Sequence, residues 1–397
     1  MNRQMFANII LLILTVACMP TNAPPPPMAL EAPIVELATA APTATDVPTP
    51  TPAPTQTRTP TATPTPTVTP APTLTSVPIP ALAPKASPQL PSLYVDGPYV
   101  KRSDTKAPVW LKGVNIEEFR QRNPHTFVDL YLFQGLGKAM GEKWGFNLLR
   151  VAIDPETVRA FSQEFDVLVA FAQANGMYVL FVPFASAVNP ARSEQRLVVP
   201  DDLVATGMGY LAGKYRDRTN VLYGIWNEPH PDSIPSISYE RQWQIWMEAG
   251  IKVARSIRNK NPNAILVVPG GTKWARDLTY YKDHPFPFNS VIYDVHDYFA
   301  APDFQYSRAM WTWAMDKYPL LIGEFGGNPI NPSDPVSIDY MKETISIVDQ
   351  NPDLIHYAMY ALSDDGAWGI FTRGLIRMPK GNLLVDDLGR YPPTRFR

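Results

Sequence analysis

Cysteine is nearly absent: Cys18 is the only one in 397 residues, so no intrachain disulfide can exist. Strong charge is also missing. A formal net charge of -2 supplies no field to recruit nucleic acid or an acidic membrane surface. Neither G-x-G-x-x-G nor G-x-x-x-x-G-K-[ST] follows the first strand-like run, which argues against a nucleotide-binding open sheet. Between about Pro20 and Pro91 large apolar residues are scarce, and that stretch cannot offset the entropy of folding. Aromatic residues, in contrast, make up 11 % of the chain and include nine Trp. Flat rings suit both sugar-binding clefts and ordinary cores, and their number alone does not choose between them.

The chain opens with Arg3 and an apolar run from Phe6 to Ala17. That is the pattern of a secretory signal, too short for a comfortable membrane span. The run ends Leu14-Thr15-Val16-Ala17-Cys18, which resembles the lipobox of bacterial lipoproteins and marks Cys18 as a lipidation candidate. Thr15 stands where Leu is usual, which leaves ordinary signal-peptidase cleavage open. Residues 19–92 follow as a Pro/Thr-rich segment. Alternating Thr-Pro supports neither helix nor ladder, because proline removes donors and disfavours helix in its predecessor. As a disordered polyproline spacer it would reach at most roughly 220 Å at ~3.1 Å per residue. The expected organisation is a signal peptide (1–18), a linker (19–92) and a globular domain (93–397).

From Leu93 short β-rich runs alternate with amphipathic stretches. LYVDGPYVKRSD reads as a hairpin turning at Asp96-Gly97. Eight strand-like runs follow, at 109–115, 146–153, 177–184, 221–227, 264–270, 290–298, 319–325 and 355–361. Helical patterns lie between most of them, as at Pro200–Arg218, Ser238–Asn261 and Pro335–Gln350. Near-continuous apolar strands alternating with helices over this length predict an α/β fold, a (β/α)8 TIM barrel. In such a barrel the carboxyl ends of the strands build the active site. Those ends carry Asn115, Arg150, Asn227-Glu228, His296, Tyr298 and Glu324, groups suited to acid–base work or to sugar hydroxyls.

The words GVN (113–115), LLRVAI (148–153), IWNEPH (225–230), YDVHDY (293–298) and IGEFGG (322–327) resemble glycoside hydrolase family 5, within the clan of retaining β/α-barrel glycosidases. The resemblance runs from about Leu93 to Trp368 and implies that Glu228 is the general acid/base and Glu324 the nucleophile. Such a pair works about 5–5.5 Å apart across the scissile bond, one protonated and one ionised. Arg150 beside Glu324 would favour the ionised form, with Tyr298 near the nucleophile and His296 near the acid/base. Asn227 would meet the sugar 2-hydroxyl, with Asn115, Trp274 and Trp368 as further substrate contacts. The chain departs from the family where a His usually follows the third strand, since VPFASAVNP has none. The family's eighth-strand Trp is also missing, with Ala361, Leu362 and Ser363 there and Trp368 arriving late.

The resemblance implies a retaining endo-β-glycanase acting on a polysaccharide or oligosaccharide, β-1,4-glucan first and β-mannan second. No cofactor and no metal are expected, the near-neutral charge predicts no nucleic-acid partner, and the lipobox-like leader predicts a monomer held at the cell surface through Cys18. A barrel that binds carbohydrate without turnover, and a transglycosylase, are the alternatives.

Overall fold

The computed structural model describes residues 88–117, 119, 136, 139, 143–186, 189–298, 308–326, 335–362, 370 and 377–396. Cys18, most of the 19–92 segment and Trp368 lie outside them. An antiparallel hairpin comes first, β1 (Leu93–Asp96) and β2 (Tyr99–Arg102), and Gly97 supplies the left-handed residue of its turn (φ 58°). Eight parallel strands follow: β3 (Lys112–Ile116), β4 (Leu148–Ile153), β5 (Tyr178–Pro183), β6 (Val221–Gly224), β7 (Leu266–Pro269), β8 (Val291–Tyr298), β9 (Leu320–Gly326) and β10 (Ile355–Met359). They close on themselves in sequence order, β10 pairing with β3, so each expected run supplies one stave of the barrel.

Strand alternation separates two cores. Outward residues such as Val151, Phe181, Tyr223, Val268 and Ile322 pack against the helices. Inward residues such as Leu148, Leu180, Leu222, Val267, Ile292 and Leu321 fill the lower barrel. The described helices are α1 (Ser162–Ala174), α2 (Asp202–Lys214), α3 (Tyr239–Lys260), α4 (Pro335–Gln350) and α5 (Pro379–Arg390). Helix α3 starts at Ser238, whose hydroxyl accepts the Arg241 N–H, and it buries Trp243, Trp246, Gly250, Val253 and Ile257 along one face. Among the described residues no helix is long and apolar enough to cross a membrane.

The barrel floor is closed by chain from both ends of the domain. Val100 of the hairpin is fully buried in the inner core. Residues 88–91, placed in the linker by composition, already belong to this floor. Leu90 is 5 % exposed and joins the inner core, and its carbonyl accepts from Thr219 Oγ1. The Pro91 carbonyl accepts from the Tyr178 hydroxyl. Near the other terminus the Thr394 N–H donates to the Trp110 carbonyl, and Phe396 meets the Tyr178 ring edge-on. Outside the barrel, Lys112 is wholly buried and bonds Asp349 (2.7 Å) and Asp387 (2.9 Å), fastening α4 and α5 to β3.

His356 points inward from β10 and is fully buried; its Nδ1 accepts the Leu111 N–H at 3.3 Å. Its Nε2 has no hydrogen-bond partner among the described residues. Burial pushes its pKa down to about 3, so the folded state keeps it neutral while the unfolded chain binds a proton near pH 6.5. The unfolded state therefore holds more protons between those values. Stability is full above about pH 6.5 and declines as pH falls toward about 3, by up to about 1.4 kcal/mol per unit. Asp349 acts in the opposite sense, because burial raises it to about 6. The contrast between variant and wild type thus isolates the histidine. His356→Asn, which retains an acceptor for the Leu111 N–H, should lose less stability than wild type between pH 6.5 and 4 in urea melts. Parallel profiles would exclude this role.

Candidate active site

The centre of the site is a guanidinium. Arg150 points inward from β4 and is 0 % exposed. Its Nη1 donates to Asn115 Oδ1 (2.7 Å) and Glu324 Oε1 (2.9 Å). Its Nη2 reaches Asn227 Oδ1 (2.8 Å), Asp294 Oδ2 (3.3 Å) and His296 Nε2 (3.0 Å). Five residues from four strands or strand ends meet on one planar fork, a geometry only arginine offers. Burial opposes its charge, but Asp294 and Glu324 outweigh that and leave its pKa raised.

This contact sets the histidine tautomer. A guanidinium cannot accept a hydrogen bond, so His296 Nε2 must offer its lone pair to Arg150. The ring proton then sits on Nδ1, which donates to Glu228 Oε1 at 2.8 Å. Burial lowers the histidine's pKa against the pull of Glu324 and Asp294, which favours this neutral form. Tyr298, two residues along the same face of β8, donates to Glu324 Oε2 at 2.9 Å. Its hydroxyl is pushed well above its usual pKa, first by burial and then by Glu324, so it stays a donor.

Glu324 is therefore gripped at both oxygens and nearly buried, at 5 % side-chain exposure, while Glu228 is more open at 21 %. An oxygen of Glu228, an oxygen of Glu324 and a ring nitrogen of His296 lie within 4.8 Å of one another. A cation could span that distance, but the donor chemistry does not suit one. The imidazole lone pair is spent on Arg150, Nδ1 carries the proton, and a fixed positive charge stands behind the ring.

The remaining expected residues separate into two groups. Asn115 and Arg150, expected at the sugar, are both 0 % exposed; Asn115 spends its amide on the carbonyls of Gly323 (2.7 Å) and Ala358 (2.9 Å). Trp274 stands in the open at 38 % exposure, its indole stacked on His230 at 3.8 Å and 7°. It lies in a left-handed turn with positive φ at Lys273, Trp274 and Ala275. His230 in turn bridges the carbonyls of Glu228 (2.7 Å) and Glu194 (2.9 Å).

Two residues escaped the sequence reading. Asp294 is a buried carboxylate under Arg150, and an acid interrupting an inward apolar strand two positions before His296 was the available signal. Tyr360, just beyond β10, lies edge-on to Tyr298 with ring centroids 6.4 Å apart. The aromatic ring at the eighth strand is thus one residue upstream of Ala361. Where a third-strand His was missed, Ser186 donates to the buried Asp154 at 2.7 Å.

A parallel barrel with paired glutamates facing each other across its mouth belongs to the class of fold and site built around glycosidic bonds. The family model for cellulases (glycosyl hydrolase family 5) matches residues 136–366. The chain belongs to glycosyl hydrolase family 5. It is 28 % identical over 204 residues to endoglucanase A of Butyrivibrio fibrisolvens, covering 48 % of this chain and 43 % of that protein. It is 24 % identical over 217 residues to endoglucanase N of Pectobacterium atrosepticum, covering 51 % and 46 %. The chain thus spans less than half the length of these two relatives. The fold resembles a beta-glucanase from Saccharophagus degradans at TM-score 0.64 and 18 % identity, covering 77 % of this chain and 95 % of that one; that protein has also been solved with cellotetraose. It also resembles an endocellulase from Pyrococcus horikoshii at TM-score 0.63 and 18 % identity, covering 77 % and 99 %.

Replacing Arg150 by Met would strand Asp294 and Glu324 as buried charges without their cation. The expected cost is about 3–5 kcal/mol of unfolding free energy, read from urea denaturation. A loss below about 1 kcal/mol would show that the guanidinium does not hold the site together.

Proposed function

We propose that this chain is a retaining endo-β-glucanase that cleaves β-1,4-glucan through a glycosyl-enzyme intermediate. The observation that carries the reading is the approach of Glu228 and Glu324 oxygens to within 4.8 Å. An approach this close fits the short carboxyl separation of double displacement, where the second carboxylate itself attacks, better than the wider spacing of an inverting pair. The naming of the relatives as endoglucanases, and the cellotetraose bound by a protein of the same fold, favour glucan over mannan.

In this mechanism Glu324 attacks the anomeric carbon with one oxygen. Arg150 and Tyr298 aim the carboxylate, so little reorganisation remains at the moment of attack. Glu228 accepts a hydrogen bond from the His296 Nδ1–H at Oε1, and its carboxyl, when protonated, delivers a proton to the leaving oxygen. In the second half it takes a proton from the water that releases the sugar. Asn227, held by Arg150 through its oxygen, keeps its amide hydrogens for the sugar 2-hydroxyl. Asn115 and Arg150 act as frame and do not touch sugar. Trp274, coupled to the Glu228 backbone through His230, offers its open indole face on the leaving-group side, and Tyr360 walls the subsite beside Glu324. The leader and the Pro/Thr-rich segment fit export, with Cys18 as the anchor.

The test is reducing-sugar release by the full chain from carboxymethylcellulose, mixed-linkage β-glucan, glucomannan, galactomannan, xylan and laminarin. Glu228→Gln and Glu324→Gln are run beside wild type, and the anomer first formed is read by proton NMR. The expected result is activity on the glucans, β-anomer first, with both variants down by at least about 10³-fold. First-formed α-anomer would refute retention; activity on galactomannan alone would move the substrate to mannan. Products longer than the substrate would indicate transglycosylation, and silence in a folded protein would favour the binding-protein alternative. Tyr360→Ala should lower kcat/KM on cello-oligosaccharides by about 10-fold or more through lost sugar contact. An unchanged value would remove Tyr360 from the subsite.

A further inference from the structure

We infer that Asp294 is a positioning residue for the reaction, its buried carboxylate fixing the β-bulge at Gly323 that turns Glu324 into the barrel. This rests on the reading of Glu324 as nucleophile and adds the device that aims it.

The argument begins with alternation. Along β9, Leu320 and Ile322 face the outer core and Leu321 the inner one. Strict alternation would send residue 324 outward with 320 and 322, among the helices, where a carboxylate could do nothing. The pairing of β8 with β9 shows why it does not. Partners run Tyr293 with Leu320, Asp294 with Leu321 and Val295 with Ile322, and then resume at His296 with Glu324. Gly323 is the extra residue, and it resets the phase. Phe325 consequently returns to the outer core against Tyr357 (5.4 Å, 76°), and Glu324 faces the mouth.

The inserted residue in a bulge is left without its normal ladder partner. Here side chains take over on both sides of the glycine. Asn115 Nδ2 donates to the Gly323 carbonyl at 2.7 Å, and the Gly323 N–H donates to Asp294 Oδ1 at 2.9 Å. The fit leaves no room for a side chain, since a Cβ on Gly323 would sit 2.1 Å from Asp294 Oδ1. The second oxygen of Asp294 faces Arg150 Nη2 at 3.3 Å. One fully buried carboxylate thus links the peptide just before Glu324 to the guanidinium that holds the Glu324 side chain.

Two roles can be told apart, counter-charge for Arg150 alone or support for the bulge as well. Asp294→Asn removes the charge and keeps an oxygen to accept the Gly323 N–H; Asp294→Ala removes both. The full chain would be assayed for kcat and KM on a cello-oligosaccharide, with thermal melts to confirm folding. Labelling of Glu324 by a 2-deoxy-2-fluoro cellobioside with a good leaving group would be followed alongside. For Asp294→Ala the expected result is a kcat and a labelling rate down by about 100-fold, with KM within about threefold of wild type. Asp294→Asn should recover most of that loss. Gly323→Ala should resemble Asp294→Ala, and the double variant should be no worse than either single one, because the new methyl then has space. An Asn variant as impaired as the Ala variant would overturn the inference and leave charge balance alone. An Asp294→Ala protein that labels at the wild-type rate would overturn it too. Should Asp294→Ala not fold, the Asn variant and Gly323→Ala still decide, since full activity in Gly323→Ala sinks the bulge argument. Absence of labelling in wild type is a separate failure, that of the nucleophile reading itself.

Discussion

A positive charge sealed inside a protein must be answered, and most of the upper barrel is the answer to Arg150. An ion removed from water costs several kcal/mol unless its partners are close and numerous. Arg150 meets that demand with two carboxylates, two side-chain amide oxygens and one imidazole nitrogen. Each partner is constrained in return. Glu324 is aimed, Asn227 is rotated, and the ring proton of His296 is assigned to the side that faces Glu228. A neutral hydrogen-bond donor in place of the guanidinium would leave two buried anions facing each other. A lysine would present one point charge where a planar fork is required.

The two glutamates consequently live in different surroundings although they sit on the same rim. Glu324 has a charged donor on one oxygen and a phenol on the other, and it is nearly sealed from solvent. Glu228 accepts from the neutral His296 ring and is more open to solvent. Such asymmetry is how a pair of identical side chains can be divided between two tasks. It originates in backbone geometry as well as in side chains, because one inserted glycine decides which face of β9 carries the acid.

Much of this was legible in the sequence, for identifiable reasons. Parallel strands buried on both faces read as apolar runs, so β3 to β10 each overlap an expected segment, β3 and β9 running one residue past theirs, and polar residues ending those runs mark the mouth. Helix α4 coincides with its expected bounds, and α2 ends earlier, at Lys214. What escaped depends on contacts that no local pattern encodes. Asn115 looks like a substrate ligand until its amide is seen engaged by Gly323 and Ala358. Asp294 looks like one more polar residue in YDVHDY until Arg150 is seen above it. Tyr360 follows the apolar strand β10, where an aromatic ring reads as core until it is seen beside Tyr298. The chain at 88–91 reads as spacer by composition, yet Leu90 finds an apolar floor, and burial is a property of the partner surface as much as of the residue.

That floor also determines orientation. The chain joins the barrel beside Leu90, at the end formed by the amino termini of the strands, and Glu228 and Glu324 stand at the other end. The described chain thus enters the barrel from the back, at Pro88. Its far end returns to the same floor, where Phe396 meets Tyr178, so the described chain begins and ends behind the barrel while the two glutamates stand in front.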